Sequence, residues 1–342
     1  MNTTKALRFS LVPLLAGALL AAGCSKSVDK TPAPLAGPRD DREVVVRVDK
    51  AMLTWSELNV RARNFYIEES RRMVVPKGGE EEALEAFRRR AASLFIFKIV
   101  MMDEARKRNI VVTDADRVRG TNRLAQTLQR QRGITSDQFF RESPFGEAVA
   151  RREFEDGLVI DKLIGQEIAT TITVGEAEIE AEANRLIEFR NVKLQEMTAI
   201  RKRLLAGEDF AKVAAEVSNC SSGKRSGGDL GQIPRGKTPL PFEKAIFTQL
   251  IGEIGPVIET TGGLHIIRVA ARHPGQPASA TTPAVPESAR VSHILLRTRP
   301  VATRALLQEQ VRQTKMASAV SDFYATCRAQ RHIETIYTDL KY

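Results

Sequence analysis

Residues 219–231 read Asn-Cys-Ser-Ser-Gly-Lys-Arg-Ser-Gly-Gly-Asp-Leu-Gly, and no other stretch of this 342-residue chain constrains its fold as tightly. The paired glycines and the third glycine just beyond predict a polar loop that ends in a tight turn. Pro241-Phe242-Glu243-Lys244-Ala245 then predicts a Phe-bearing helix, and Gly263-Leu264-His265-Ile266-Ile267 a strand that opens on Gly-x-His. Paired glycines punctuate many loops, so the turn alone is a weak signal. Four such features in fixed order over roughly fifty residues are a strong one.

In order and spacing these segments resemble the second half of a parvulin-type peptidyl-prolyl cis–trans isomerase. A domain of that family normally opens with a strand reading Ser-His-Ile-Leu before its first helix. Here no such strand precedes residues 199–207, and Ser292-His293-Ile294-Leu295-Leu296 comes after the last strand instead. Either residues 291–297 are the stump of a lost second parvulin, or they are the missing first strand threaded back into the only one present. A sheet lacking an interior strand would expose the edges of its neighbours, which favours the second arrangement. A strand arriving after residues 265–270 can lie antiparallel beside them, and an eighteen-residue connection closes at little entropic cost. The expectation is a permuted domain in which residues 291–297 pair with residues 264–269, setting His293 beside His265 and facing Cys220.

The resemblance implies the chemistry. Turning an X-Pro bond means crossing a barrier of about 18–20 kcal/mol, because the twisted amide loses its resonance. No covalent step and no cofactor is needed. The family's two pocket histidines correspond to His265 and His293, and its neighbouring Cys or Asp to Cys220. Phe242, Leu230 and Ile233 would line the proline pocket. Thr238 stands where the family usually has a pocket Met, and Gly262 where many members have a Ser or Thr before Gly-x-His; both belong to the expected substrate-binding set. Arg297 and Arg299 read as a solvated loop after the strand. The four histidines do not cluster with thiols or carboxylates, so no metal is expected. The competing reading is a catalytically weak or inactive peptide-binding holdase.

The amino-terminal end carries a targeting pattern. Lys5 and Arg8 precede an apolar run over residues 11–22 that is too short to span a bilayer comfortably. The run ends Leu20-Ala21-Ala22-Gly23-Cys24, which resembles a bacterial lipoprotein box with Cys24 as lipid acceptor; an ordinary secretory signal is the alternative. Ser25 after the cysteine points to the periplasmic face of the outer membrane in a Gram-negative cell. Residues 24–41, rich in Pro, Ser, Lys and Asp, read as a tether. A net charge of +10 with no aromatics interleaved among the basic residues gives no sign of a nucleic-acid platform. Cys220 and Cys327 lie far apart in sequence, and a disulfide between them stays open.

Between these ends, residues 43–49 predict a β-branched strand, and Thr54-Trp55-Ser56-Glu57 a capping box that starts a helix. Residues 76–82 form a loop. Helices follow over 84–108 and 144–169, with restarts at Thr113-Asp114-Ala115-Asp116 and Gly133-Ile134-Thr135-Ser136. Apolar residues over 94–100 and 154–164 offer either a core face or a client groove. This strand–helix–helix pattern resembles the helical chaperone domain of SurA-like and PrsA-like proteins. That family completes the domain with a helix and strand from the far carboxyl end, and residues 304–330 (Leu307, Val311, Val320, Phe323) and 332–339 supply both. The expected fold is α+β. It has a signal over residues 1–23, a tether over 24–41, and a helical chaperone domain over 42–190. A parvulin domain follows over 191–297, of the FKBP-like superfold with a small antiparallel sheet. Within it, residues 271–289 are a flexible linker and 290–297 the displaced first strand. Residues 298–342 pack back on the chaperone domain. The resemblance implies exported, unfolded polypeptides with X-Pro bonds as partners, and a lipid-anchored place in the cell envelope.

Overall fold

A computed structural model describes residues 40–70, 79–278, 283–299 and 302–337. The signal segment, Cys24 and all but the last two residues of the tether lie outside the described residues. Two compact units divide the chain: one takes the described residues up to Ile172 together with those from Gln313 onward, and the other is Thr173–Arg312.

In the first unit, β1 (Val44–Val48) and β2 (Ala51–Thr54) form a hairpin. Asp49, at φ 51°, takes the left-handed turn conformation that aspartate tolerates. The far carboxyl strand β7 (Ile333–Thr335) pairs antiparallel with β1, Val46 opposite Thr335 and Val48 opposite Ile333. That partner is the one the sequence supplied; β2 was not predicted as a strand, because only four residues separate the turn from the capping box. The box itself forms: the Thr54 N–H donates to Glu57 Oε2 at 2.9 Å. It starts α1 (Trp55–Ser70), and α2 (Glu80–Lys107) follows. In α3 (Asp114–Arg132) the Thr113 hydroxyl accepts from the Asp116 N–H while Asp116 accepts from the Thr113 N–H, a second reciprocal cap. Gly133, at φ 67°, ends that helix, and Thr135 caps the short α4 (Ser136–Arg141). The long helix expected over 144–169 is α5 (Glu147–Ile164) continued by one wide π-type turn, Gly165–Ala169.

The core of this unit holds Ile96, Val100 and Met101 of α2, Ile160 and Leu163 of α5, and Tyr324 of the carboxyl helix, whose ring lies 5.0 Å from Phe97. Phe95, Phe97, Ile99 and Val100, and Phe154, Ile160, Leu163 and Ile164, are therefore interior packing or lie against it.

The second unit opens with α6 (Glu176–Leu205), one continuous 30-residue helix. It crosses the position expected as a domain boundary, 190/191; a single helix offers no break there, and the division falls at the turn before it. Next come α7 (Phe210–Val217), α8 (Ser221–Ser226), β3 (Asp229–Pro234), α9 (Leu240–Thr248), β4 (Ile258–Thr260), β5 (Gly263–His273) and β6 (Ser288–Leu296). The sheet order is β3-β6-β5-β4, all antiparallel, with β6 in the interior. Leu264, Ile266, Ile294 and Leu296 face Met197, Ile200 and Leu204 of α6 and Phe210 of α7. Ile267, Val269, Ala289 and Val291 face Phe242 and Ile246 of α9. Both faces are covered, which is why consecutive residues 264–267 of β5 and 293–296 of β6 are all buried.

The segment expected as a flexible linker carries strand at both of its ends. Residues 271–273 pair with 288–290, and beyond them Gln276 and Val285 exchange both backbone hydrogen bonds at 2.8 and 2.9 Å. Pro277 and Pro286 flank that bonded pair, at positions whose N–H would face away from the partner, so proline costs the ladder nothing there. The last helix, α10 (Arg304–Arg328), also departs from expectation at its start: Leu307 packs with Ile179 and Leu186 of α6, and only from Gln313 onward does α10 count with the first unit.

Asp161 on α5 is a half-buried acid facing Arg123 at 3.8 Å, and among the described residues no hydrogen bond reaches its Oδ2. Burial pushes its carboxyl up to about 6, against a smaller opposing pull from Arg123. The native state thus keeps a proton that the unfolded chain releases near pH 4, so stability falls as pH rises through that window and is level above it. Asp161→Asn should raise stability at pH 7 by up to about 2–3 kcal/mol, with the gain vanishing toward pH 4. Thermal melts across pH 4–8 check this; equal melting temperatures for the two proteins at pH 7 would refute it.

Candidate active site

The β5–β6 register determines the site. Ile267 lies opposite His293 and His265 opposite Leu295, so the two histidines are diagonal neighbours on one face of the sheet. Their imidazoles stack at 5.4 Å between centroids, with Nδ1 to Nδ1 at 3.3 Å. Both are buried, at 7% and 5% exposure. The Phe242 ring meets both edge-on, its centroid 5.2 Å from that of His265 and 5.9 Å from that of His293. The sequence expectation for residues 264–269 and 291–297 matches this pairing, although β6 begins three residues earlier.

The glycines earn their places by geometry. Gly228 sits at φ +87° with its N-terminal neighbour Gly227 at φ +60°. A Cβ on Gly228 would come within 2.8 Å of the His293 carbonyl oxygen, and the Gly228 carbonyl accepts the His293 N–H at 2.9 Å. The Gly-Gly turn is thus what lets the chain run directly against the histidine strand. Gly263, at φ +133°, has the same role at the other histidine: a Cβ there would lie 2.3 Å from the Leu296 carbonyl oxygen.

Sequence reasoning missed Thr260. Its Oγ1 lies 2.9 Å from His265 Nε2 and also accepts the Gly262 N–H at 3.0 Å. Gly262, expected to mark a missing hydroxyl, instead donates its backbone N–H to the hydroxyl two residues earlier. A threonine on the strand ahead of a two-residue turn into Gly-x-His was the available signal. A single relay follows: Thr260 Oγ1, His265 Nε2, His265 Nδ1, His293 Nδ1, His293 Nε2. Nothing in the described residues bonds the last of these atoms. If the threonine donates, each imidazole passes its own proton along and His293 Nε2 becomes a donor; if it accepts, every proton shifts and Nε2 becomes an acceptor.

Leu230 and Ile233 of β3 pack against the Phe242 and Ile246 cluster on the histidine face. Thr238, on the loop before α9, is half-buried with its Oγ1 enclosed and unbonded among the described residues. Cys220 is half-buried at the head of α8, on a segment hydrogen-bonded to the end of β6: the Asn219 N–H donates to the Leu295 carbonyl at 2.7 Å. No disulfide joins Cys220 to Cys327. Arg297 is exposed, as expected for a solvated loop.

A four-stranded antiparallel sheet that buries two touching imidazoles under a phenylalanine defines the class to which the second unit conforms. The PPIC-type PPIase (rotamase) domain matches residues 188–271. Pin1 of Arabidopsis thaliana, a peptidyl-prolyl cis–trans isomerase, is 40% identical over 84 residues, 24% of this chain and 70% of its own length. The foldase protein PrsA of Caldanaerobacter subterraneus subsp. tengcongensis is 31% identical over 178 residues, 49% of this chain and 52% of its own. The chaperone SurA of Aromatoleum aromaticum is 25% identical over 301 residues, 78% of this chain and 64% of its own. The chain belongs to the parvulin-type peptidyl-prolyl cis–trans isomerase family. It spans about half the length of the PrsA relative.

Burial holds both imidazoles down at about 4, His265 further disfavoured by the charge His293 would carry. At neutral pH both are uncharged. As pH falls from about 6.5 toward 4, the unfolded chain takes up protons that the native pair refuses, so stability is intact above that window and lost within it. Imidazole nitrogen chemical shifts should report neutral rings for both residues at pH 5.5. Charged rings at that pH would contradict the burial argument.

Proposed function

We propose that the second unit is a working peptidyl-prolyl cis–trans isomerase that serves exported, incompletely folded polypeptides. The observation that carries this reading is the touching pair of neutral, buried imidazoles beneath Phe242. Rotation about an X-Pro bond needs no bond broken. It needs the proline ring held in apolar surroundings, water excluded, and the twisted amide favoured over the planar one. Phe242, Leu230 and Ile233 supply the apolar wall, with Thr238 at its rim. His265, His293 and Cys220 form the polar side. Because the rings are neutral, they act as a hydrogen-bond network without placing a charge in the pocket, and the relay from Thr260 sets which nitrogens donate. Gly262 contributes through its N–H on Thr260. In this reading β6 is the family's first strand, displaced to follow the last.

The similarity to PrsA and SurA supports a foldase and chaperone role in the cell envelope. Lipidation at Cys24, with a periplasmic outer-membrane location in a Gram-negative cell, rests on the sequence pattern alone.

Protease-coupled isomerisation of proline peptides, using the chain from residue 24 onward, tests the enzyme. A measurable kcat/KM is expected for at least some residues preceding proline. Phe242→Ala should cut it by roughly tenfold or more, since a lost apolar contact of 1.4 kcal/mol or more in the transition state is a factor of ten. A rate equal to buffer for every residue before proline would overturn the proposal.

A further inference from the structure

We infer that Ser218 and Asn219 are positioning residues, which hold Cys220 in fixed relation to the strand that carries His293. Pairing between β3 and β6 reaches only as far as Asp229 opposite Ser292. Beyond that point the edge of β6 would be bare, and the chain closes it with other groups. The His293 N–H goes to Gly228, and both backbone groups of Leu295 go to residues 218 and 219. Ser218 is wholly buried, and its Oγ accepts two N–H groups at once, that of Leu295 at 3.2 Å and that of Cys220 at 3.3 Å. The Asn219 N–H donates to the Leu295 carbonyl at 2.7 Å, and its Oδ1 accepts the Arg297 N–H at 2.9 Å.

Leu295 is the residue directly opposite His265 and two along from His293. One hydroxyl oxygen therefore ties the backbone of the cysteine to the β6 backbone opposite His265 and two residues beyond His293. The bond is local on one side and spans 77 residues on the other. Packing of α7 against Ile294 and Leu296 brings these segments together, and the clamp adds the directional bonds that hold residues 218–220 at one position along β6. Asn219 adds two bonds farther along the strand, at the Leu295 carbonyl and the Arg297 N–H, which converts a single point of contact into a short strand-like pairing that resists sliding along β6. The clamp's bearing on catalysis rests on the isomerase reading above; its bearing on the cysteine does not.

The test combines isomerase kcat/KM with the alkylation rate of Cys220, read by peptide mass spectrometry so that Cys327 and Cys24 are resolved from it. Cys327, buried in the other unit, is the internal control. Ser218→Ala removes the shared acceptor, and Asn219→Ala removes the bond to Arg297 at an exposed position where the fold tolerates change. Each should alter the Cys220 alkylation rate several-fold and lower kcat/KM by roughly tenfold, the scale on which small misplacements of reacting groups act. Asn219→Asp keeps the Oδ1 acceptor and should restore both readouts toward the parent. A role in stability alone predicts a lower melting temperature with an unchanged alkylation rate well below it; that result in Asn219→Ala overturns the proposal even if Ser218→Ala fails to fold. If the parent shows no isomerase activity, the function proposed above fails while the alkylation readout still decides the clamp.

Discussion

The antiparallel pairing of β5 with β6 is the interaction on which the rest of the second unit depends. Strand side chains alternate with a period of two, so a slip of one residue would send His293 to the α6 face and Val291 away from α9. The register is fixed because both faces are buried. Leu264, Ile266, Ile294 and Leu296 have one set of partners, and Ile267, Val269 and Val291 another. No shifted pairing satisfies both. The histidine pair is thus a consequence of hydrophobic packing on two sides of a sheet, with the imidazoles placed by the apolar residues around them.

Glycine enables what packing demands. At Gly228 and Gly263 the backbone of a neighbouring segment passes within 3 Å of where a Cβ would stand, in each case beside or along the strand that bears His293. These residues look like turn punctuation in the sequence. In the structure they are points at which the polypeptide runs close against β6. The hairpin extension has the same logic. Four prolines made residues 271–289 read as a linker, but a proline whose missing N–H would face away from its partner leaves the ladder intact, and composition carries no information about that phase.

Much of this was legible because it was local or periodic. The capping boxes at Thr54 and Thr113, the glycine turn, and the carboxyl strand that β1 required all follow from short patterns or from the need to pair backbone groups. The illegible parts were contacts between segments whose spacing in sequence says nothing about distance. Thr260 reaches His265 across a turn that hides their proximity, and Ser218 meets Leu295 only because β3 ends early. The start of α10 was assigned by its apolar spacing to one unit, whereas Leu307 finds its partners on α6. Periodicity identifies an amphipathic helix and leaves its neighbours unspecified.

The relay ending at His293 Nε2 has a physical consequence for how such a site handles an amide. A charged donor on the carbonyl oxygen would favour the planar X-Pro bond, whose resonance puts more negative charge on that oxygen, and binding the ground state more tightly does not lower a barrier. A neutral imidazole whose donor or acceptor state is set two hydrogen bonds away presents a weaker, adjustable group. Under the proposed function, its donor or acceptor state can follow the charge shift as the amide nitrogen becomes pyramidal and basic, provided the protons of Thr260 and both rings shift together. Burial supplies the needed neutrality: desolvation keeps both rings uncharged across the physiological range. The same low-dielectric surroundings that cost the protein stability below pH 6.5 are what keep the network responsive at neutral pH. An exposed histidine pair would titrate in the working range and alternate between a hydrogen-bond relay and a repelling pair of cations.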